Sequence, residues 1–74
     1  MNIDRLIAMA NQIGSFFGAY PDTEQAKKDI ANHLKRFWEQ RMRKQIVRHV
    51  IENQGIGLEP IVQSAIKEHL AHLS

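Results

Sequence analysis

The hydrophobic positions of the chain recur with the period of an α-helix in four separate segments. At 100° per residue, the apolar residues of the first segment fall on one face that covers about half of a helix, so this helix must contact two neighbours. A helix is therefore predicted over residues 3–18, where Gly18 and Pro21 end it. Its apolar face consists of Ile3, Leu6, Ile7, Ala10, Ile13, Gly14 and Phe17, widened by Met9 and Phe16.

A second helix is predicted over residues 22–38. Asp22 offers an N-cap oxygen, and Gln25 follows at the spacing of a capping box. The apolar arc of this helix consists of Ala26, Ile30, Leu34 and Phe37, with Ala31 and Trp38 at one edge. Because Phe37 lies within the arc, we expect it to be part of the core, whereas the marginal position of Trp38 is compatible with either core or surface.

The chain is predicted to bend sharply near residues 39–40. No glycine or proline lies between Asp22 and Gln54, which alone would allow one helix of over 30 residues. The later apolar residues, however, point roughly opposite to the earlier ones on a straight helix, so one rod could not bury both sets. A third helix is therefore predicted over residues 40–53. Its apolar residues are Met42, Ile46, Val47, Val50 and Ile51.

A fourth helix is predicted over residues 59–73. Gly55 and Gly57 end the third helix, and Glu59 and Pro60 begin the fourth, since proline suits a first helical turn. No run of alternating polar and apolar residues indicates a strand. The sequence thus predicts an all-α protein, a small irregular four-helix bundle that forms a single helical domain over residues 1–74.

The composition limits the kinds of chemistry that the chain can perform. A 74-residue domain buries only about 60% of its unfolded surface, so a small core supported by a partner protein is expected. The chain has no cysteine, which excludes thiol catalysis, thiolate ligation of iron–sulfur clusters and the common structural zinc sites. No secretory signal or long apolar span is recognisable, and a cytoplasmic location is therefore expected.

The four histidines are the first candidates for metal binding or general-base catalysis. His69 and His72 are three residues apart, but they lie in the last turn of the last helix, where solvated cations are common. His33 and His49 flank apolar arcs on different helices, which favours a position at the edge of the core over a catalytic role. The sequence therefore predicts no catalytic, cofactor-binding or metal-binding residue.

The predicted bend combines two aromatic side chains with two guanidinium groups, a mixture typical of interface hot spots. Arg43 falls inside the apolar arc of the third helix, and a buried arginine needs a carboxylate or carbonyl partner. The alternative to an interface is that Phe37 and Trp38 are simply part of the core and that Arg43, in the first turn of its helix, points past the core into water. The predicted partner interface consists of Phe37, Trp38, Arg41, Met42 and Arg43.

The charge is concentrated in one part of the chain. The net charge is +2, but six basic residues against one acidic residue place +5 between residues 35 and 48, which leaves −3 elsewhere. An alternative function is therefore a small basic helical module that binds nucleic acid through the third helix. Against it, the overall charge is small, and the basic residues are expected to spread around that helix instead of forming one stripe.

Two sequence blocks are specific in combination. Residues 9–13 read Met-Ala-Asn-Gln-Ile, and residues 37–43 read Phe-Trp-Glu-Gln-Arg-Met-Arg. Together with residues 6–8, 16–17, 33–36 and 57–62, they resemble the delta subunit of NAD-dependent formate dehydrogenase over nearly the full chain. In that family the central block usually reads Phe-Trp-Asp-Pro-Arg-Met-Arg. Glu39 and Gln40 replace the capping Asp and the helix-starting Pro, so a weaker cap and a looser bend are expected.

The resemblance implies a non-catalytic accessory subunit of a cytoplasmic, molybdenum- or tungsten-dependent enzyme that oxidises formate and passes electrons to NAD. The pterin cofactor, iron–sulfur clusters and FMN are then expected on larger subunits, with no cofactor in this chain. The implied partners are those larger subunits, above all the catalytic one, and the implied role is to stabilise the complex or to assist its assembly and maturation. An exposed patch around Trp38 is expected to favour self-association of the isolated chain.

Overall fold

The computed structural model describes residues 2–74, which form five helices and no strand. The helices are α1 (Ile3–Phe17), α2 (Thr23–Phe37), α3 (Gln40–Asn53), α4 (Pro60–Glu68) and α5 (Leu70–Leu73). The predicted all-α class is confirmed, and the ends of the first three helices agree with the predictions to within one residue. Across residues 2–74, every helix is too short or too polar to cross a lipid bilayer.

The fourth predicted helix is divided in two at His69, so the prediction of one helix over residues 59–73 was wrong. The backbone of His69 leaves the helical region (φ −123°, ψ 30°), and its N–H is shared between the carbonyls of Ala65 and Ile66 at 3.2 and 3.3 Å. The break redirects the last turn, because α5 packs against α2 and α3 as well as α4. Leu73 is thereby buried in the core.

The first two helices begin with side-chain caps. The Asn2 carboxamide oxygen accepts a hydrogen bond from the Asp4 N–H at 2.7 Å, and the Asp22 carboxylate accepts one from the Gln25 N–H at 3.1 Å. The predicted cap at Asp22 is therefore confirmed. The Gln25 side chain does not complete a capping box, because its amide donates instead to Asp29 at 2.9 Å.

The predicted bend lies between α2 and α3, at residues 38–39. Trp38 (φ −89°, ψ 139°) and Glu39 (φ −63°, ψ 153°) both have an extended backbone. α2 ends immediately before these two residues, and α3 begins immediately after them. The Glu39 side chain makes no capping hydrogen bond with α3, as the absence of the family's Asp-Pro pair predicts. The phase argument for a change of direction is confirmed.

The core is one cluster to which all five helices contribute. Its fully buried large side chains are Leu6, Ile30, Leu34, Ile46, Val62, Ile66 and Leu73. Small residues allow close approach between helices. A Cβ atom added at Gly14 would collide with the Val62 side chain, so α1 and α4 pack at a distance that only glycine permits at this point.

Three large side chains expected on core faces are instead exposed. Phe16 and Phe37 are 66% and 67% exposed, and Ile51 is 63% exposed. The prediction that Phe37 belongs to the core was wrong, because the chain leaves the helix at Trp38 and this turn points Trp38 inward. The wide apolar arcs of α1 and α3 likewise exceed what a 74-residue protein can cover.

Lys27 is a nearly buried cation that links α2 to α4, and the sequence analysis did not identify it. Its ammonium group lies 2.7 Å from the Glu24 carboxylate and 2.8 Å from the Glu68 carboxylate. The hydrogen bonds that Lys27 donates to Glu24, and then to Glu68, raise the pKa of Lys27 above its usual 10.5. A raised lysine pKa contributes stability that is fully present below about pH 10.5 and is lost only as the pH rises through the folded-state pKa.

The turn between α3 and α4 is held by side chains from three helices. Asn11 of α1 donates its amide to the Gly57 carbonyl at 2.9 Å and accepts the Glu59 N–H at 2.8 Å. The side chains of Gln63 and His49 also form hydrogen bonds with backbone carbonyls of this turn, at 3.0 Å for Gln63 and 2.7 Å for His49. Asn11 belongs to the Met-Ala-Asn-Gln-Ile block, and these two hydrogen bonds explain why an amide suits that position.

Restoring the family's cap is predicted to stabilise the bend. The double substitution Glu39→Asp and Gln40→Pro supplies a capping oxygen and a preformed first turn, and Glu39 already has the extended backbone required before proline. We expect the free energy of unfolding to rise by about 1 kcal/mol in urea titrations. Glu39→Ala is the control and is expected to change little, because Glu39 does not cap. A loss of stability in the double variant would contradict this account.

Removing the Asn11 amide is predicted to destabilise the protein. Asn11→Ala leaves the Gly57 carbonyl and the Glu59 N–H without their partner, and we expect a loss of about 2 kcal/mol in thermal or urea unfolding. Gln12→Ala removes an amide from the exposed side of the same helix and is expected to stay within about 0.5 kcal/mol. Equal effects of the two substitutions would show that the Asn11 bonds are unimportant.

Candidate functional site

Arg43 joins three helices through backbone carbonyls. Its Nη1 donates to the Trp38 carbonyl at 2.7 Å and to the Lys35 carbonyl at 3.4 Å, and its Nε donates to the Leu73 carbonyl at 3.4 Å. The C-terminal ends of α2 and α5 thus share one guanidinium group, whose positive charge also favours the negative end of each helix. The expectation that Arg43 needs a carbonyl partner is confirmed, and the alternative that it points into water was wrong.

Trp38 and Met42 support the bend from inside. Trp38 is 6% exposed and belongs to the core, and the half-buried Met42 packs against the same cluster. Of the five residues predicted at the interface, only Phe37 and Arg41 are exposed. The exposed apolar patch expected around Trp38 is therefore centred on Phe37 instead.

Phe37 is the end of a continuous aromatic surface that spans α1 and α2. His33 lies 4.7 Å from the Phe37 ring and 6.0 Å from Phe17, measured between ring centroids. Phe17 contacts Phe16 edge-to-face at 5.0 Å and Tyr20 at 5.5 Å. We call these five residues (Phe16, Phe17, Tyr20, His33 and Phe37) the aromatic surface. These ring contacts are edge-to-face or tilted, and aromatic pairs prefer edge-to-face geometry over a face-to-face sandwich.

The aromatic surface carries polar groups at one margin. The Arg36 guanidinium lies 5.7 Å from the Phe37 ring centroid, within range of a cation–π contact. Asp29, Asn32 and Arg36 line a shallow depression of about 270 Å³ together with Phe17, His33 and Phe37. Aromatic residues and arginine are both enriched at protein interfaces.

The basic residues of α3 are distributed differently from the prediction. Arg43 is turned inward, whereas Arg41, Lys44 and Arg48 follow one another at i, i+3 and i+7 and are all exposed. These three residues, the basic stripe, share one side of the helix. The expectation that the positive charges spread around the third helix was therefore wrong for three of its four basic residues.

The histidines are accounted for by packing. His33 joins the aromatic surface, and His49 bonds the Ile56 carbonyl, so the prediction that both lie at the edge of the core is confirmed. His69 occupies the break between α4 and α5, and His72 is exposed. Within residues 2–74, no three His, Asp or Glu side chains are grouped closely enough to hold a metal ion.

The model of one protein family matches residues 5–66 of the 74-residue chain, a range that contains the bend, the aromatic surface and the Asn11 contacts. This family is the NADH-dependent formate dehydrogenase delta subunit, FdsD. The chain belongs to the delta-subunit family. The resemblance drawn from its sequence blocks is therefore confirmed. Searches of curated proteins and of solved structures find no significant match.

As a delta subunit, the chain is a small subunit of a formate dehydrogenase complex, so larger subunits are its partners. The sequence analysis found the bend but missed most of the aromatic surface. Phe16 was placed on the widened apolar face of the first helix, and His33 was considered only as a residue at the edge of the core. One sequence feature could have suggested the surface: Phe16 lies at the margin of an apolar arc that is too wide for one neighbour.

Arg43 is predicted to contribute to stability and Arg41 is not. Arg43→Ala removes the donor from three carbonyls at helix ends, and we expect the free energy of unfolding to fall by about 2 kcal/mol. Arg41→Ala removes the same side chain from an exposed position two residues away, where about 0.5 kcal/mol or less is expected. Urea unfolding followed by circular dichroism measures both. Similar losses in the two variants would contradict the structural role of Arg43.

Proposed function

We propose that this chain is a non-catalytic accessory subunit of a cytoplasmic, molybdenum- or tungsten-dependent, NAD-linked formate dehydrogenase. It docks on a larger subunit, the catalytic one in our proposal, and stabilises the complex or assists its assembly and maturation. Membership of the delta-subunit family supports the complex, and the aromatic surface supports the docking. The single observation that carries the proposal is that two phenylalanines on different helices are two-thirds exposed and joined by ring contacts.

The aromatic surface has the energetic properties of a docking site. Exposed aromatic rings leave large apolar areas in contact with water, and their burial by a partner is favourable. Contacts between neighbouring rings restrict these side chains before binding, which reduces the conformational entropy lost when a partner covers them. Interface hot spots are enriched in aromatic residues and arginine for these reasons, and Arg36 borders the surface.

The proposed interface modifies the set predicted from the sequence. Phe37 and Arg41 are exposed and are proposed to contact the partner directly. Trp38, Met42 and Arg43 are proposed to support the interface indirectly, because they determine where α2 ends and α3 begins. Substituting one of these three would alter the fold as well as the interface, so Phe37 and Arg41 are the better residues to test.

The residues of this chain are not of the types that bind the cofactors of such a complex. Iron–sulfur clusters are held by thiolates, and the chain contains no cysteine. Gly55 and Gly57 belong to a turn after a helix, without the strand and lysine of a phosphate-binding loop. We therefore propose that the pterin, the iron–sulfur clusters, FMN and NAD are bound by the larger subunits, and that this chain contributes no step of the reaction.

The size of the chain is compatible with a stable interface. A standard interface buries about 800 Å² on each partner, and the chain exposes 4716 Å² in total. One such contact would cover about one sixth of its surface. The region around α1 and α2 would be sufficient, and other faces would remain available.

Polar substitution of the aromatic surface is predicted to release the chain from its complex. We expect Phe16→Ser and Phe37→Ser each to weaken binding of the larger subunits by about 2 kcal/mol, or about thirtyfold, because both rings are hot-spot candidates. The measurement is co-purification from the native cytoplasm with an N-terminally tagged chain. The eluate is assayed for large subunits and for formate-dependent NAD reduction.

Ile56→Ser is the matched control, because Ile56 is also a large apolar residue, 71% exposed, but lies outside the aromatic surface. It is expected to leave recovery of the large subunits unchanged. Circular dichroism of each variant checks that the helices remain. Undiminished recovery with the folded Phe16→Ser, Phe37→Ser double variant would remove the aromatic surface from the interface.

A further inference from the structure

A second apolar depression lies between α3 and the last turn of the chain, and it shares no residue with the aromatic surface. Val47, Ile51 and Leu73 form its floor, and its volume is about 290 Å³. Ile51 was expected in the core but is largely exposed. The depression, which we call the α3 groove, is at the lower limit of pockets that hold whole small molecules, about 300 Å³, and suits an anchoring side chain of a larger partner.

The α3 groove is bordered by positive charge. Lys44 and Arg48 of the basic stripe line it, and Arg41 continues the stripe by one turn. Arg48 pairs with Glu52 at 3.0 Å, but both side chains are mostly exposed, so water and salt weaken that pair. Within residues 2–74, Arg41 and Lys44 form no ion pair. Among the residues that line the groove, two cations and one carboxylate leave a side-chain charge of +1 beside the apolar floor.

We infer that the α3 groove is a second docking site and that its occupant is an acidic amphipathic helix of a protein partner. Apolar side chains at helical spacing enter the groove, and Asp or Glu residues on the flanks of that helix pair with Lys44 and Arg48, which line it. Charge complementarity selects the partner and accelerates its association, while the apolar contact keeps it bound. The inference depends on the proposed function only in assuming that the chain works within a protein assembly.

An acidic protein helix fits the groove better than nucleic acid does. Nucleic acid contacts are made mainly to phosphates and gain nothing from an apolar floor such as Ile51 and Val47. The stripe is also short, because it has only three cations and one of these is already paired with Glu52. An electrostatic binder would use a larger excess of positive charge.

A second copy of this chain does not supply the matching helix. None of its helices carries more than two acidic residues, and the acidic residues are not grouped beside an exposed apolar face suited to the groove. Glu24 and Glu68 are already bound to Lys27. The complementary segment therefore belongs to a different protein.

Site-directed photo-crosslinking in living cells tests this inference. A p-benzoylphenylalanine residue replaces Glu52, on the rim of the groove, so that Ile51 and Lys44 stay intact. The tag is placed at the N-terminus, because Ser74 lines the groove. We expect the crosslinked peptide, identified by mass spectrometry, to be an amphipathic helical segment with an excess of Asp and Glu. Lys44→Glu and Ile51→Ser are each expected to reduce the crosslink at least about tenfold.

The controls are Lys28→Glu, which reverses an exposed charge on α2, and Ile56→Ser, which removes an exposed apolar side chain elsewhere. Both are expected to leave the crosslink unchanged. A crosslink to nucleic acid, to a second copy or to a segment without acidic excess would overturn the inference, as would no crosslink or insensitivity to Lys44→Glu. Because recovery of the large subunits depends on the aromatic surface and is measured separately, failure of the groove is distinguishable from failure of the proposed function.

Discussion

The structure depends on how the chain ends one helix and begins another at residues 38–39 without glycine or proline. Arg43 makes this possible by returning from the first turn of α3 to the exposed carbonyls of α2. Its third hydrogen bond, to Leu73, attaches the last helical turn to the same point. Because carbonyls at a helix end need a donor and carry partial negative charge, one cation satisfies both requirements for two helices.

This arrangement explains which side chains are available for binding. The turn at Trp38 points its indole into the core and leaves Phe37 outside, beside His33. The turn at His69 brings Leu73 against α3, and the edge between them becomes the α3 groove. Both exposed apolar regions thus lie next to a helix end, and in our proposal partners cover the apolar area that the core of this small chain leaves exposed.

The polar side chains divide into two groups with different roles. Asn11, Gln63 and His49 satisfy backbone groups of one turn, and Lys27 links two helices through carboxylates. These residues hold the scaffold, and none of them is in the proposed interfaces. Arg41 and Lys44 form no ion pair within the described part of the chain, so both charges remain available to a partner. In our proposal, structural and binding roles therefore belong to different residues.

The positions of the first three helices, the direction change between α2 and α3, and membership of the delta-subunit family were all predictable from the sequence. Helical periodicity and cap residues are local properties, and two specific blocks were enough to indicate the family. The break at His69 and the choice between Phe37 and Trp38 were not predictable, because residues far apart in sequence decide them. Which parts of an apolar arc become core depends on the neighbours that cover it, and only tertiary packing determines those neighbours.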